Sequence, residues 1–341
     1  MNEINNPHDA FFKMSFGDIE IAKDFLQNYL PKNVVKAIDL NYLVKENGSY
    51  VDEEFQNVQS DLLWKTKINN HEGYIYFLFE HKSYKDKKII FQLLKYMLKI
   101  WEDTYEKSKN TIPIIIPIVI YHGETAWNIE TNLINLIEGI KDLPEEIRKY
   151  IPSYEYELQD FSPKSKASIV GEAYTRLVIE VMRSAFEKDI ERFYKAFRLI
   201  VELINKMQDK EKADEVFEMC IKYLLNVRDD IEIEELERTA KEESVERGEL
   251  IMSIAEKLRE EGIEKGIEKG IEKGIEKGIE KGKIEGKKEI AINVLSRRFG
   301  NELTEELKEK IRNADDETIN YIGDNLLEIT IEELKEILNL K

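Results

Sequence analysis

The sequence predicts an α/β module followed by a long helical region and a small all-helical end. Three observations carry this expectation: aromatic and β-branched runs alternate with helical spacing up to residue 123; helical spacing with few breaks runs from 166 to 261; and Gly-Ile-Glu-Lys repeats five times over residues 262–281. Asp18 leads into Ile21, Ala22, Phe25, Leu26, Tyr29 and Leu30, an i, i+4, i+5 pattern stopped by Pro31, which reads as a short amphipathic helix. The turn-like Glu46-Asn47-Gly48-Ser49 opens a stretch to about Gln59 that no pattern assigns. Residues 61–68 and 74–82 are strand-like runs around Asn69-Asn70-His71-Glu72-Gly73, so a β-hairpin is expected there. From Lys85 to Lys107, apolar residues at 89, 90, 93, 94, 97, 98, 100 and 101 keep helical spacing, and residues 112–121 read as a buried strand closed by His122-Gly123.

Residues 126–160 are less regular, broken by Pro144 and Pro152. From Lys166 to about Asn226 the spacing predicts two to four packed helices, and from about Glu289 a cluster of short ones. Four segments are expected: the α/β module at 1–160, a helical extension packed on it at 161–231, an acidic helix with the repeat linker at 232–288, and a small helical domain at 289–341.

Charge restricts function. The 341 residues carry 51 Lys/Arg against 69 Asp/Glu, net −18, which excludes a protein that coats nucleic acid through bulk charge. The excess is uneven: residues 1–125 hold 15 basic and 18 acidic residues, whereas window 65–99 has eight lysines and three acids. The lone Cys220 excludes an intrachain disulfide and a cysteine zinc knuckle and suits a reducing compartment. His8, His71, His81 and His122 have no metal-ligand spacing. The apolar run 112–121 is about half a membrane span, and the first residues lack a basic start with an apolar stretch, so a cytoplasmic protein with no membrane partner is expected.

Strand geometry singles out three residues. Glu80 and Lys82 stand two apart and share a face. A hairpin centred between Asn70 and His71 pairs positions summing to 141 and sets Asp61 opposite Glu80; a sum of 143 sets it opposite Lys82. Any odd sum keeps all three on one face, and an even sum breaks the group. Two carboxylates a few ångström apart repel unless a cation joins them, and Mg²⁺ favours such hard oxygen ligands. An ammonium beside it orients or deprotonates an attacking water. The parts for metal-assisted phosphodiester hydrolysis are thus present, with Lys65, Lys67, Lys85, Lys87 and Lys88 as candidates for holding a DNA backbone. On spacing alone a surface salt bridge is the commoner reading. Against it, Glu80 ends the apolar run YIYFLF, where a carboxylate is costly unless paired or metal-bound.

PHDAFFKMSF (7–16), KDFLQNYLP (23–31), YVDEEFQNVQSDLLWKTK (50–67), GYIYFLFEHKS (73–83), FQLLKYM (91–97) and PIVIYHG (117–123) together resemble the Rpn family, over about residues 5–230. Its members are called recombination-promoting nucleases or putative transposases and belong to the PD-(D/E)XK nuclease superfamily. The resemblance implies a restriction-endonuclease-like αβββαβ core, a mixed sheet flanked by helices. It also implies Mg²⁺-dependent endonuclease activity on double-stranded DNA, with Mn²⁺ as a substitute. By that match Asp61 and Glu80 bind the metal and Lys82 is the lysine of the motif, where many members carry Gln; Ser60 stands where the superfamily has Pro. Asp9 and Gln92 are possible neighbours of the site, with helix capping and a satisfied carbonyl as their plainer readings. His122 and Trp127 read as a turn and a packed aromatic.

A period of four advances a helical stripe by about 40° per repeat, so the isoleucines wind round the helix, and each glycine costs ~0.8–1 kcal/mol of helicity. The array reads as a marginal helix that serves either as a self-association rod, giving a homo-oligomer such as a dimer through the tail, or as a tolerated linker. The leading expectation is a Mg²⁺-dependent DNA endonuclease promoting recombination or acting against mobile DNA. The alternatives are a non-catalytic interaction protein with a decayed nuclease core and, from the family label, a strand transferase, for which a third spaced acid is missing.

Overall fold

The computed structural model describes residues 6–46, 62–80, 86–107 and 110–339, with backbone alone for Phe79, Glu80 and Glu106. The chain divides into two compact units, Met1–Leu258 and Arg259–Lys341.

The first unit opens with helices α1 (Pro7–Phe16), α2 (Ile19–Tyr29) and α3 (Lys32–Ala37). Asn6 caps α1 by accepting the His8 N–H, with Pro7 in the first turn where a missing N–H costs nothing. Asp18 caps α2 by accepting from Glu20 and Ile21. Strands β1 (Val44–Glu46), β2 (Leu62–Ile68) and β3 (His71–Glu80) follow, then α4 (Ile89–Lys107) and β4 (Ile114–Tyr121). A short α5 (Glu145–Arg148) precedes β5 (Glu157–Asp160), a strand the sequence did not disclose because four partly polar residues carry too little alternation.

The five strands form one mixed sheet in the order β1-β2-β3-β4-β5. β1, β2 and β3 are antiparallel neighbours, while β4 lies parallel to β3 after the α4 crossover and β5 lies parallel to β4. The hairpin differs from the expected centre. Its turn is Asn69-Asn70 alone, with φ of 47° and 65°, and pairs run from Ile68↔His71 to Leu62↔Phe77, a register sum of 139. Asparagine tolerates the left-handed region, so two of them in sequence build a two-residue hairpin turn and draw His71, Glu72 and Gly73 into β3. The parity is odd, as the shared face requires. Asp61 itself lies outside the described residues.

Alternation splits the sheet's two faces. Leu62, Trp64, Ile75, Phe77, Ile118 and Ile120 join α1, α2 and the later helices in the larger core. Leu63, Tyr74, Tyr76, Leu78 and Val119 pack instead under α4, against Ile89, Ile90, Leu93, Met97 and Ile100. The larger core is closed by α6 (Ala173–Ala185), α7 (Ile190–Asn205), α8 (Lys210–Val227) and α9 (Ile233–Glu243), together with Ile251 and Ile254 at the start of α10 (Val245–Phe299). Burying apolar area on both faces of the sheet is what holds the strand ends in place.

Helix α10 carries the whole repeat array, and its five isoleucines, Ile263 to Ile279, are 55–58% exposed. In the second unit, Ala291 and Leu295 pack with α11 (Glu305–Arg312), α12 (Asp316–Asp324) and α13 (Ile331–Ile337) around Leu307, Ile311, Ile319, Ile322 and Leu334. Thr330 and Glu333 form a capping box at α13. Among the described residues no helix is long and apolar enough to cross a membrane.

Candidate functional site

β3 and β4 run side by side in the same direction and end at the same level, Glu80 against Tyr121, with Asp160 of β5 next to Tyr121. Crevices beyond the carboxyl ends of parallel strands are where open α/β sheets present binding groups. Of the three expected catalytic residues, Glu80 is therefore placed by its backbone as the last position of β3. Asp61 and Lys82 lie outside the described residues, as does Lys85 among the candidate backbone contacts.

The other candidates divide. Lys87 and Lys88 are exposed immediately before α4, where Asp86 accepts the Lys88 N–H at 2.8 Å. Gln92 is half-buried in the first turn of that helix, and its N–H bonds the Lys88 carbonyl at 3.0 Å. Lys65 and Lys67 stand at the turn end of the hairpin, paired with Tyr74 and Glu72. At about 3.3 Å per residue, six residues of β3 put the Lys65 level roughly 20 Å from that of Glu80. The structure does not bring these two lysines together with Glu80. Lys65 binds Glu72 at 2.7 Å, and that hydrogen bond holds its ammonium pKa up; Lys67 lies over the Tyr42 ring at 4.4 Å.

Asp9 is buried in the first turn of α1. Its neighbour His8 reaches the end of β4: His8 Nδ1 lies 2.8 Å from the Tyr223 hydroxyl, which lies 3.1 Å from His122 Nε2. His122 is fully buried, directly after β4, and Phe186 packs edge-on against it with centroids 4.7 Å apart. This chain of three polar groups was not legible in sequence, because Tyr223 is remote from both histidines and looks like any other apolar-face residue of its helix. Trp127 packs on Tyr121 as expected. Asp160, also not singled out in sequence, accepts the Trp127 N–H at 2.8 Å and the Ser162 N–H at 2.9 Å, so its two oxygens close the loops beyond the strand ends. Among the described residues no three His, Cys, Asp or Glu side chains gather to hold a metal.

Residues 6–215 match the family described as "Putative transposase, YhgA-like". Over 76% of its length the chain is also 24% identical to recombination-promoting nuclease RpnA of Escherichia coli strain K12, covering 85% of that protein. The chain belongs to the Rpn family. Among its Rpn relatives, recombination-promoting nuclease RpnD of Escherichia coli O157:H7 is 35% identical across 37% of this chain and 50% of its own. A third, named inactive recombination-promoting nuclease-like protein RpnE, is 26% identical across 76% of this chain and 83% of its own. No solved structure matches the chain. The family-model match stops within α8, whereas the likeness to RpnA extends over 76% of the chain.

Proposed function

We propose that this Rpn protein is a Mg²⁺-dependent endonuclease of double-stranded DNA, with a restriction-endonuclease-like core. The observation that carries the reading is Glu80 at the carboxyl end of a strand parallel to β4, in a hairpin of odd register, within a chain whose relatives are named nucleases. Even positions of β3 alternate through Tyr74, Tyr76 and Leu78, and Glu80 is the next of them. Asp61 and Glu80 are the residues that would hold the metal, since two carboxylates form a hard oxygen donor set suited to Mg²⁺ or Mn²⁺. Mg²⁺ would supply there the polarisation of the scissile phosphate. Lys82 positions the attacking water and offsets charge gathering on the phosphate, while Lys87 and Lys88 hold the DNA backbone. Asp9 and Gln92 support the site from α1 and α4, and the protein works in the cytoplasm with its tail as a self-association element.

Plasmid DNA incubated with the protein tests this: cleavage that needs Mg²⁺ and is lost in Asp61→Ala and Glu80→Ala supports the reading, and equal cleavage by all three proteins removes the site assignment. The second reading, a non-catalytic assembly protein, draws on RpnE, a relative of similar identity and coverage named inactive. It predicts no metal-dependent cleavage by the wild type at all.

A further inference from the structure

Helix α4 buries one side on the sheet and leaves an apolar seam outside. Phe91, Leu98 and Tyr105 are 49%, 47% and 48% exposed, and they recur every seven residues. Leu94 and Trp101, partly buried at the edge of the smaller core, fill the positions between them. This is the a/d pattern of a helix that pairs with another helix, and single scattered apolar residues would not produce it. Charge on the same face is polar along the axis. Exposed Lys95 stands in the first half of the helix and exposed Glu102 in its second, while Lys87 and Lys88 precede the helix and exposed Lys107 ends it.

We infer that α4 is a two-fold interface between two copies of this chain, the helices antiparallel and centred on Leu98. A two-fold axis there sets Leu98 against its own mate and Phe91 against Tyr105 of the other copy. Lys95 and Glu102 are seven residues apart on one flank of the seam. In an antiparallel pair that flank faces its own counterpart, so Lys95 of each copy meets Glu102 of the other, twice per dimer. In a parallel pair the Lys95/Glu102 flank would instead face the flank of Ile90, Met97 and Thr104, which are buried within their own subunit and carry no charge. A single helix pair covers less than the ~800 Å² per partner of a standard interface. The rim is extended by exposed Ile114, held beside the helix because Trp101 Nε1 donates to the Pro113 carbonyl at 2.8 Å. A dimer forming at roughly micromolar concentration is expected. The inference is independent of the nuclease reading and names a surface other than the tail.

Full-length Leu98→Cys protein, treated with a short bis-maleimide, tests it, since the native Cys220 is buried. Covalent dimer is expected from Leu98→Cys and not from Ile190→Cys, an exposed apolar position elsewhere. In the Leu98→Cys background, Lys95→Glu or Glu102→Lys should each lower the yield about tenfold, because both rim pairs turn repulsive, and the two changes together should restore it. Circular dichroism confirms that each variant is folded. Equal yields at 98 and 190, a dimer in light scattering that leaves Leu98→Cys uncrosslinked, a monomer throughout, or charge reversals without effect or without rescue would each overturn the interface.

Discussion

The Tyr223 hydroxyl has one proton to donate, so the two imidazoles it joins take opposite roles. If His8 Nδ1 accepts from it, His122 Nε2 donates to it, and the reverse tautomers exchange both roles together. Burial also pushes the Tyr223 phenol far above its ordinary pKa, so it stays a donor throughout the accessible pH range. Tyr223→Phe keeps the ring stacked on Phe11 and removes only the link. It should lower stability by about 1–2 kcal/mol, seen as a lower urea midpoint at unchanged slope; an unchanged midpoint would mean the chain contributes nothing. A second residue-scale effect depends on pH. Arg228, buried against the Phe193 ring, donates to the Ser184 carbonyl and to both oxygens of Asp230, whose carboxyl pKa is thereby lowered. A depressed folded pKa gives stability that is full above the ordinary aspartate value, about 3.9, and is lost as pH falls through the folded value. The gap in Tm between wild type and Asp230→Asn should therefore narrow on acidification, and a gap constant with pH would rule out the pair as its source.

At the scale of elements, the repeat helix offers a clear test of intrinsic propensity. A Cβ added at Gly266, Gly270 or Gly274 meets nothing within 4 Å. Each Gly→Ala change there should stabilise helix by about 0.8–1 kcal/mol, read as helical signal that survives to higher temperature. Loss of helicity would show that the glycines serve a contact. The elements also show where sequence patterns suffice. α2, α4 and β4 were legible because long runs of regular spacing leave little choice, and caps such as Asp18 mark their ends. The hairpin was legible in kind and parity while its centre was misplaced by one residue, since five polar residues hid a turn that needs only Asn69 and Asn70. β5 was missed because parallel pairing with β4, a tertiary feature, is what makes those four residues a strand.

The whole molecule revises the division of charge. Part of the acidic sequence after residue 231 belongs to the first unit, since Leu236, Ala240, Ile251 and Ile254 are fully buried in its core. The cut that respects the structure follows Leu258, and residues 259–341 hold 16 basic against 21 acidic residues, a small share of the net −18. Removing them should strengthen low-salt binding to non-specific DNA only about two- to threefold, measured by fluorescence anisotropy; a change of orders of magnitude would mean that the tail occludes the core. Of the candidate site, the odd parity of the hairpin was legible, and the family resemblance rested on ordered blocks of sequence. What residue order alone did not reveal were long-range partners, such as Tyr223 for His122, or the roughly 20 Å along the sheet that part Lys65 from Glu80. Plasmid DNA incubated with wild type or Glu80→Ala, in Mg²⁺ or in EDTA, tests the proposed catalytic centre most directly. Wild type is expected to cut with Mg²⁺ and not with EDTA, and Glu80→Ala to lose at least about a hundredfold in rate, as for other removed catalytic groups. Cleavage by the folded variant at the wild-type rate would contradict the assignment of the strand end as the catalytic centre.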